Sequence, residues 1–238
     1  MSDGDEPGFR PRGKEVTRLE SFSDAVFAFA VTLIVVSLEV PRSFDELRER
    51  LASFPAFFFC FALLAQVWYH HYRYFRRYGL QDLRTIILNF VLLFVVLFYV
   101  YPLKYTFTGM FGARDPTLTA DGLRLVFVLY GVGTIAVFGT LALMYANALR
   151  FRQVLALSPL EVFDTRSAVI AHLACGSVAI VSITLACTVP DRWIGLLAGF
   201  SYCLLGPVMT VQGMVRGTQR RKLEGGAASP ARPGRDDA

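Results

Sequence analysis

The sequence predicts an all-α membrane protein that crosses the bilayer six times, and three observations support this fold class. Hydrophobic residues make up 54% of the 238 residues, more than the core of one soluble domain of this length can use. They lie in runs of about 20 residues, the length that a helix needs to cross a hydrocarbon core of about 30 Å. Basic residues gather in alternate connections between these runs. An even number of helical spans accounts for all three observations.

The predicted spans form one domain, residues 22–215, between two polar ends. Residues 1–21 contain no apolar stretch followed by a cleavage site, so we expect a retained cytoplasmic segment. Residues 43–53 carry apolar residues at helical spacing between charges, which predicts a short amphipathic helix at the outer surface. Residues 216–238, rich in Gly, Ala, Pro and Arg, predict a disordered cytoplasmic tail. The six spans are approximately 22–40, 54–72, 84–105, 123–149, 167–189 and 193–215.

The distribution of Lys and Arg predicts the orientation. Of the 24 Lys and Arg residues, 17 lie in or beside the N-terminal segment, the second and fourth connections and the C-terminal tail, and seven lie in or beside the remaining connections. Positive charge is enriched on the cytoplasmic side of membrane proteins. We therefore expect a multi-pass protein of the cell membrane with both termini in the cytoplasm, surrounded by lipid.

Several function classes are disfavoured by what the sequence lacks. The four cysteines lie in or near apolar spans, with no CxxC pair and no histidine at ligand spacing, so no metal site is predicted. A Gly-rich phosphate loop, a GxSxG elbow and an HExxH pair are all missing, and we predict neither an enzyme nor a cofactor. The basic residues are not interleaved with aromatic residues on a soluble domain, which disfavours nucleic acid as a partner.

The first span has an apolar stripe that allows two interpretations. Phe22, Phe29, Leu33 and Val36 return to nearly the same side of a helix with 3.6 residues per turn. Small residues occupy much of the remaining surface, which permits close helix packing in lipid. The stripe is either an ordinary packing surface, the better-supported interpretation from the residues alone, or the apolar constriction of an ion path.

Polar residues at the predicted cytoplasmic end of the first three spans form a second candidate site. Asp24 stands at the start of an apolar run, where an ionisable group is costly unless it is paired or solvated. It is either a functional residue or a helix cap at the interface. We predict a polar network whose role is structural or, through histidine protonation, gate-tuning, with the structural role favoured. Its members are Arg18, Ser23, Asp24, His71 and Asn89.

These residues carry a resemblance to a known family. Arg18-x-x-x-Phe22-Ser23-Asp24 is followed by Ala-Val-Phe-Ala-x-Ala-x-Thr-Leu, and a Leu-Glu-Val-Pro sequence follows this span. With Trp68-x-x-His71-x-Arg73 in the second span, the pattern resembles the transmembrane protein 175 family of potassium channels in its prokaryotic single-repeat form. About the first hundred residues carry the pattern, and the last three spans match only in number and hydropathy.

The resemblance implies a homotetramer that conducts potassium ions, with the first helices around a central pore. Like the family, the chain lacks a TVGYG carbonyl filter, so selectivity is expected at rings of apolar side chains. The positions carried over are Phe29, Leu33 and Val36 for the constriction, Thr32 for polar assistance, and Arg18, Phe22, Ser23, Asp24 and His71 for the motif network. Phe29 is aromatic where the family usually has a branched aliphatic residue, and Val36 is smaller than the usual leucine.

The function predicted is thus a leak-like, potassium-permeable cation channel. The alternative from another class is a proton-coupled carrier in which Asp24 and His71 relay protons. A membrane enzyme or a non-conducting scaffold is a third possibility, disfavoured by the missing catalytic motifs.

Overall fold

The computed structural model describes residues 9–36, 42–52, 54–111, 117–205, 207, 210, 213, 214 and 216–220. All regular secondary structure in these residues is helical, which confirms the all-α class. Short 3-10 turns, Asp191–Trp193 and Ser201–Leu204, flank the last of the seven α-helices that can be bounded. These helices are α1 Arg18–Val36, α2 Phe44–Ala52, α3 Phe54–Tyr78, α4 Leu83–Phe111, α5 Ala120–Arg150, α6 Pro159–Thr188 and α7 Ile194–Phe200.

Four of these helices, α1, α4, α5 and α6, are long and apolar enough to cross a membrane. The 25-residue helix α3 coincides with the predicted second span, but Gln66, His70, His71 and Arg73 make its second half more polar. The predicted sixth span begins as α7 between its two 3-10 turns, and several residues beyond position 205 lie outside the described part of the chain. The count of six spans therefore stays a prediction.

Two helices begin earlier than hydropathy predicts because polar residues cap them. At the start of α1, Thr17 and Glu20 each accept a hydrogen bond from the backbone N–H of the other, at 3.2 and 3.1 Å. At the start of α6, Ser158 and Glu161 form the same reciprocal box, with a proline at the first helical position. Such capping boxes pair backbone N–H groups that have no partner within the first turn of the helix, so a helix can begin in a polar segment. Hydropathy marks only the apolar part of each helix, so the capped ends were missed.

The bundle has one end at which α1, α4 and α6 begin and α3 and α5 end; we call it the basal end. Here the rings of Tyr74, Tyr78 and Tyr145 pack against one another with centroids 5.2 to 5.8 Å apart. The hydroxyl groups of Tyr78 and Thr165 lie 2.7 Å apart, so the tyrosine is paired although it is buried. This cluster joins α3, α5 and α6 and gives the basal end a rigid core.

Residues 9–17, which we call the N-terminal strap, cross the basal end before α1 begins. The Arg12 guanidinium donates two hydrogen bonds of 2.9 Å to the two carboxylate oxygens of Glu161 in α6. Its Nε donates to the carbonyl oxygen of Leu155 at 2.7 Å, in the connection between α5 and α6. The carboxylate of Glu161 is only 4% exposed, so this two-pronged ion pair is largely shielded from water.

Two glycines let the strap lie against the end of α3. A Cβ atom at Gly13 would collide with the carbonyl oxygen of Phe75, and Gly79 adopts a φ of +59°, which disfavours residues with a side chain. The backbone N–H of Gly13 donates to the carbonyl oxygen of Arg76 at 3.1 Å, and the Arg76 guanidinium donates to the carbonyl oxygen of Gly13 at 2.8 Å. The strap therefore fixes the entry of α1 to α3 and α6.

The other polar end is described only in part. Arg216–Arg220, which the sequence analysis placed in the tail, are helical, and Arg216 donates to Oδ1 of Asp164 in α6 at 2.8 Å. Residues 1–8 and 221–238 lie outside the described residues, so their predicted character is untested.

Candidate functional site

The first three long helices, α1, α3 and α4, meet at a row of three buried polar side chains. The amide nitrogen of Asn89 in α4 donates to Oγ of Ser23 in α1 at 2.9 Å. The amide oxygen of Asn89 lies 2.8 Å from Nε2 of His71 in α3. Ser23 and Asn89 are fully buried and His71 is 1% exposed. Three of the five predicted network residues are thus brought together.

The hydrogen bonds of this row assign a role to each polar atom. The Ser23 hydroxyl donates to the carbonyl oxygen of Leu19 at 2.8 Å, so its oxygen is left to accept from Asn89. The amide oxygen of Asn89 then accepts from Nε2–H of His71, which fixes the proton on that ring nitrogen. A buried polar atom without a partner costs about 1–3 kcal/mol. The row therefore locks α1 to α3 and α4 in one rotational position.

Aromatic rings enclose the imidazole. The ring of His71 lies 5.6 Å from that of Phe27 and 4.8 Å from that of Phe75, measured between centroids. Phe27 belongs to α1 and lies one turn from Ser23, so the same side of α1 supplies a polar contact and an apolar contact to one histidine. This arrangement favours the structural role predicted for the network.

Asp24 has an environment unlike that of the buried row. Its side chain is on the surface of the chain and its Oδ1 accepts a hydrogen bond of 2.8 Å from Nε1 of Trp68 in α3. Arg18 is exposed as well. Both residues lie in the described part of the chain, and they do not form an ion pair with each other. Likewise, no hydrogen bond joins Asp24 to His71.

Most of the apolar stripe lies on the exposed side of α1, while Leu33 also packs against the buried core. Phe29 is 56% exposed and Val36 is 70% exposed, Thr32 is exposed and Leu33 is half-buried. The Thr32 hydroxyl donates to the carbonyl oxygen of Ala28 at 2.9 Å, so its oxygen keeps a free lone pair on this side. Phe22 is 49% exposed and packs on Phe90 of α4 at 5.7 Å. The role of these residues in a pore stays a prediction.

Sequence reasoning missed two partners. Trp68 was part of the quoted pattern but was given no partner, and its spacing of three residues from His71 could have suggested a shared side of α3. Arg12 and Glu161 are 149 residues apart, and nothing in their local sequence predicts that they meet. In the described part of the chain, no group of three His, Cys, Asp or Glu side chains could hold a metal ion.

Apolar helices of spanning length, with a polar row locking one side of α1 and an apolar stripe on its other side, define a polytopic α-helical membrane protein. The family model of the endosomal/lysosomal potassium channel TMEM175 matches residues 18–99, which include every candidate site residue. A protein named potassium channel from Marivirga tractuosa is 41% identical over 234 residues, covering 91% of this chain and 94% of that protein. The chain belongs to the TMEM175 family, which confirms the resemblance.

Two solved structures have a similar fold. The crystal structure of a threonine-to-alanine variant of the potassium channel MtTMEM175, bound to a nanobody–MBP fusion protein, superposes with a TM-score of 0.76 at 40% identity, covering 90% of this chain and 99% of that chain. A homologue of the lysosomal potassium-selective channel TMEM175, from Chamaesiphon minutus, gives a TM-score of 0.59 at 20% identity, covering 82% of this chain and 96% of that chain, and supports the fold alone. The similarity thus continues well beyond the first hundred residues.

Proposed function

We propose that this protein is a leak-like, potassium-permeable cation channel of the cell membrane, with both termini in the cytoplasm. The observation that carries the proposal is the two-sided character of α1, whose one side is locked to α3 and α4 while the other side exposes an apolar stripe. Potassium is proposed as the permeant ion because relatives, including the 41% identical protein from Marivirga tractuosa, are named potassium channels.

The proposed pore is formed by four copies of the chain with the exposed side of α1 around the central axis. Phe29, Leu33 and Val36 would then form successive apolar rings, with the oxygen of Thr32 between them. An apolar ring excludes water, so an ion must lose part of its hydration shell to pass. Potassium is larger than sodium and holds its water less strongly, so it pays the smaller penalty. The row of Ser23, Asn89 and His71 would hold each ring in place.

A proton-coupled carrier receives no support from a specific contact. A relay would require Asp24 and His71 to exchange a proton directly or through a partner. Asp24 is instead hydrogen-bonded to Trp68, and Nε2 of His71 is occupied by Asn89. We therefore propose no second function.

Recordings from purified protein in planar bilayers test the pore directly. Leu33→Asn should hydrate the constriction, raise the current and reduce the permeability ratio of potassium to sodium. Val35→Asn is the matched control, because Val35 is exposed on α1 but helical spacing places it outside the stripe. Equal effects of the two variants, or no effect of either in folded protein, would contradict the proposed lining.

Two further readouts test the remaining parts of the proposal. Chemical crosslinking in mild detergent should trap a four-subunit species, and a monomer in bilayer-like conditions would remove the central pore. Single-channel current steps support a channel. Slow, saturable flux that requires a proton gradient would instead establish a carrier.

A further inference from the structure

A groove of about 770 Å³ opens at the basal end between the strap, the start of α1 and the start of α4. Its rim is basic, because Lys14 of the strap and Arg18 of α1 line it with their side chains exposed. Its floor is apolar and is formed by Leu19, Phe22, Ile86 and Phe90. The groove lies apart from the buried row, and it shares Phe22 with the apolar stripe but contains none of Phe29, Leu33 and Val36.

The charge of the rim is not neutralised by the contacts described. Arg12 also lines the groove, but its guanidinium is occupied by Glu161. Lys14 and Arg18 take part in none of the ion pairs of the described residues, while Glu15 is the one acid among the residues that line the groove. Two cations and one acid leave the rim with a net positive charge.

The backbone that presents these cations is held in place without a ligand. Residues Arg12 and Gly13 donate backbone hydrogen bonds of 3.2 and 3.1 Å to the carbonyl oxygen of Arg76. The capping box of Thr17 and Glu20 fixes the start of α1, where Arg18 lies. The distance between the two cationic positions is thus set by the fold, and a bound anion would cost little ordering of the backbone.

We propose that this groove binds one anionic phospholipid, with its phosphate between Lys14 and Arg18 and the first part of an acyl chain on Phe22 and Phe90. The centroids of these two aromatic rings lie 5.7 Å apart, and each side chain is 49% exposed. The rings therefore offer a continuous apolar surface in the floor of the groove, next to the two basic side chains of the rim. A phospholipid at the cytoplasmic boundary has its phosphate nearer the water and its acyl chains nearer the membrane centre. The basic rim and the apolar floor of the groove follow the same order.

The chemistry of the groove favours a lipid over other occupants. A free phosphate ion would contact the cations but not the aromatic floor. An uncharged apolar molecule would contact the floor but leave the cations without a counter-charge. A second copy of the chain would need acidic side chains opposite Lys14 and Arg18. The proposal rests on the orientation proposed above, with the basal end at the cytoplasmic leaflet, and does not require that α1 line a pore.

Native mass spectrometry of purified protein tests the proposal with phosphatidylglycerol and phosphatidylcholine as probes. The unsubstituted protein should retain phosphatidylglycerol in preference to phosphatidylcholine. Lys14→Ala combined with Arg18→Ala should lower this retention roughly fivefold for each charge removed. Arg150→Ala combined with Arg152→Ala is the matched control, because it removes two exposed arginines from the same end of the bundle. Equal losses in the two double variants would overturn the site.

A second variant and a competitor separate the sources of the phosphate. Phe90→Ser should lower phosphatidylglycerol retention while leaving the rim charges intact, and unchanged retention would overturn the role of the floor. Inorganic phosphate should fail to displace the lipid; full displacement would show an anion site rather than a lipid site. Crosslinks from an introduced Lys14→Cys to a neighbouring subunit would show that the groove is a subunit contact. Retention is measured without current, so its failure is distinct from failure of the proposed channel.

Discussion

The two sides of α1 differ in how far their side chains are buried by contacts within the chain. On the side of Ser23, Phe27, Ala30 and Ile34, side chains are buried and the one polar group has a partner for its donor and its acceptor. On the side of Phe29, Thr32 and Val36, the described contacts within the chain leave large apolar surface exposed. Contiguous exposed apolar surface marks a contact with lipid, another chain or a permeant species. The first side therefore sets the position of α1, and the second is available for function.

The largest effect on stability is expected at the buried row. Asn89→Leu removes the acceptor of His71 and should lower the free energy of unfolding by about 2–3 kcal/mol, because a buried donor is left without a partner. Adding His71→Phe should restore part of this loss, since the orphaned donor is then removed as well. Thermal unfolding in detergent, followed by tryptophan fluorescence, measures both values.

The control for the row is Thr184→Val. Thr184 is exposed on α6 and its hydroxyl donates only to the carbonyl oxygen of Ile180, so a change within about 0.5 kcal/mol is expected. A double variant as unstable as the sum of its two single variants would show that Asn89 and His71 do not depend on each other.

A smaller loss of stability is expected from cutting the strap. Arg12→Ala removes the guanidinium from the Glu161 carboxylate, which is only 4% exposed in the intact pair, and should cost about 2 kcal/mol because backbone N–H groups still solvate that carboxylate. Glu161→Gln in the same chain removes the charge and should recover part of the loss. Arg152→Ala serves as the control, because Arg152 is exposed and lies in the connection between α5 and α6, which Arg12 also contacts.

Midpoints of chemical denaturation in detergent compare these strap variants. A loss in Arg12→Ala that Glu161→Gln does not reduce would mean that the ion pair contributes little and that Arg12 acts through its bonds to the Leu155 and Ala156 carbonyl oxygens.

The sequence predicted the depth of polar residues better than their direction. Helical spans place residues at fixed depths, so Ser23, His71 and Asn89 could be expected at one level, and the structure joins them. The rotation of each helix depends on packing across the whole bundle. Arg18 and Asp24 were therefore grouped with the row, although Asp24 pairs with Trp68 and Arg18 lines the groove.

Other features of the site follow from interactions that no local pattern encodes. The ion pair of Arg12 and Glu161 joins positions 149 residues apart, and it requires the strap to cross the start of α6. The early start of α6, by contrast, could have been predicted from the Ser158 and Glu161 capping box. Hydropathy alone was the wrong signal for that boundary, because a helix continues into water wherever its end is capped.

The smallest effect on stability is expected on the exposed side of α1, where the effect on permeation should be the largest. Phe29→Leu removes a ring that is 56% exposed and has few contacts to lose, so the chain should unfold within about 0.5 kcal/mol of the unsubstituted protein. If four Phe29 rings narrow a pore, the smaller leucine widens it and raises the single-channel current. Val35→Ala, on the same helix but off the stripe, should change neither property. A Phe29→Leu variant that loses stability but conducts as before would assign Phe29 to packing between subunits, and the two sides of α1 would then differ only in which chain completes their contacts.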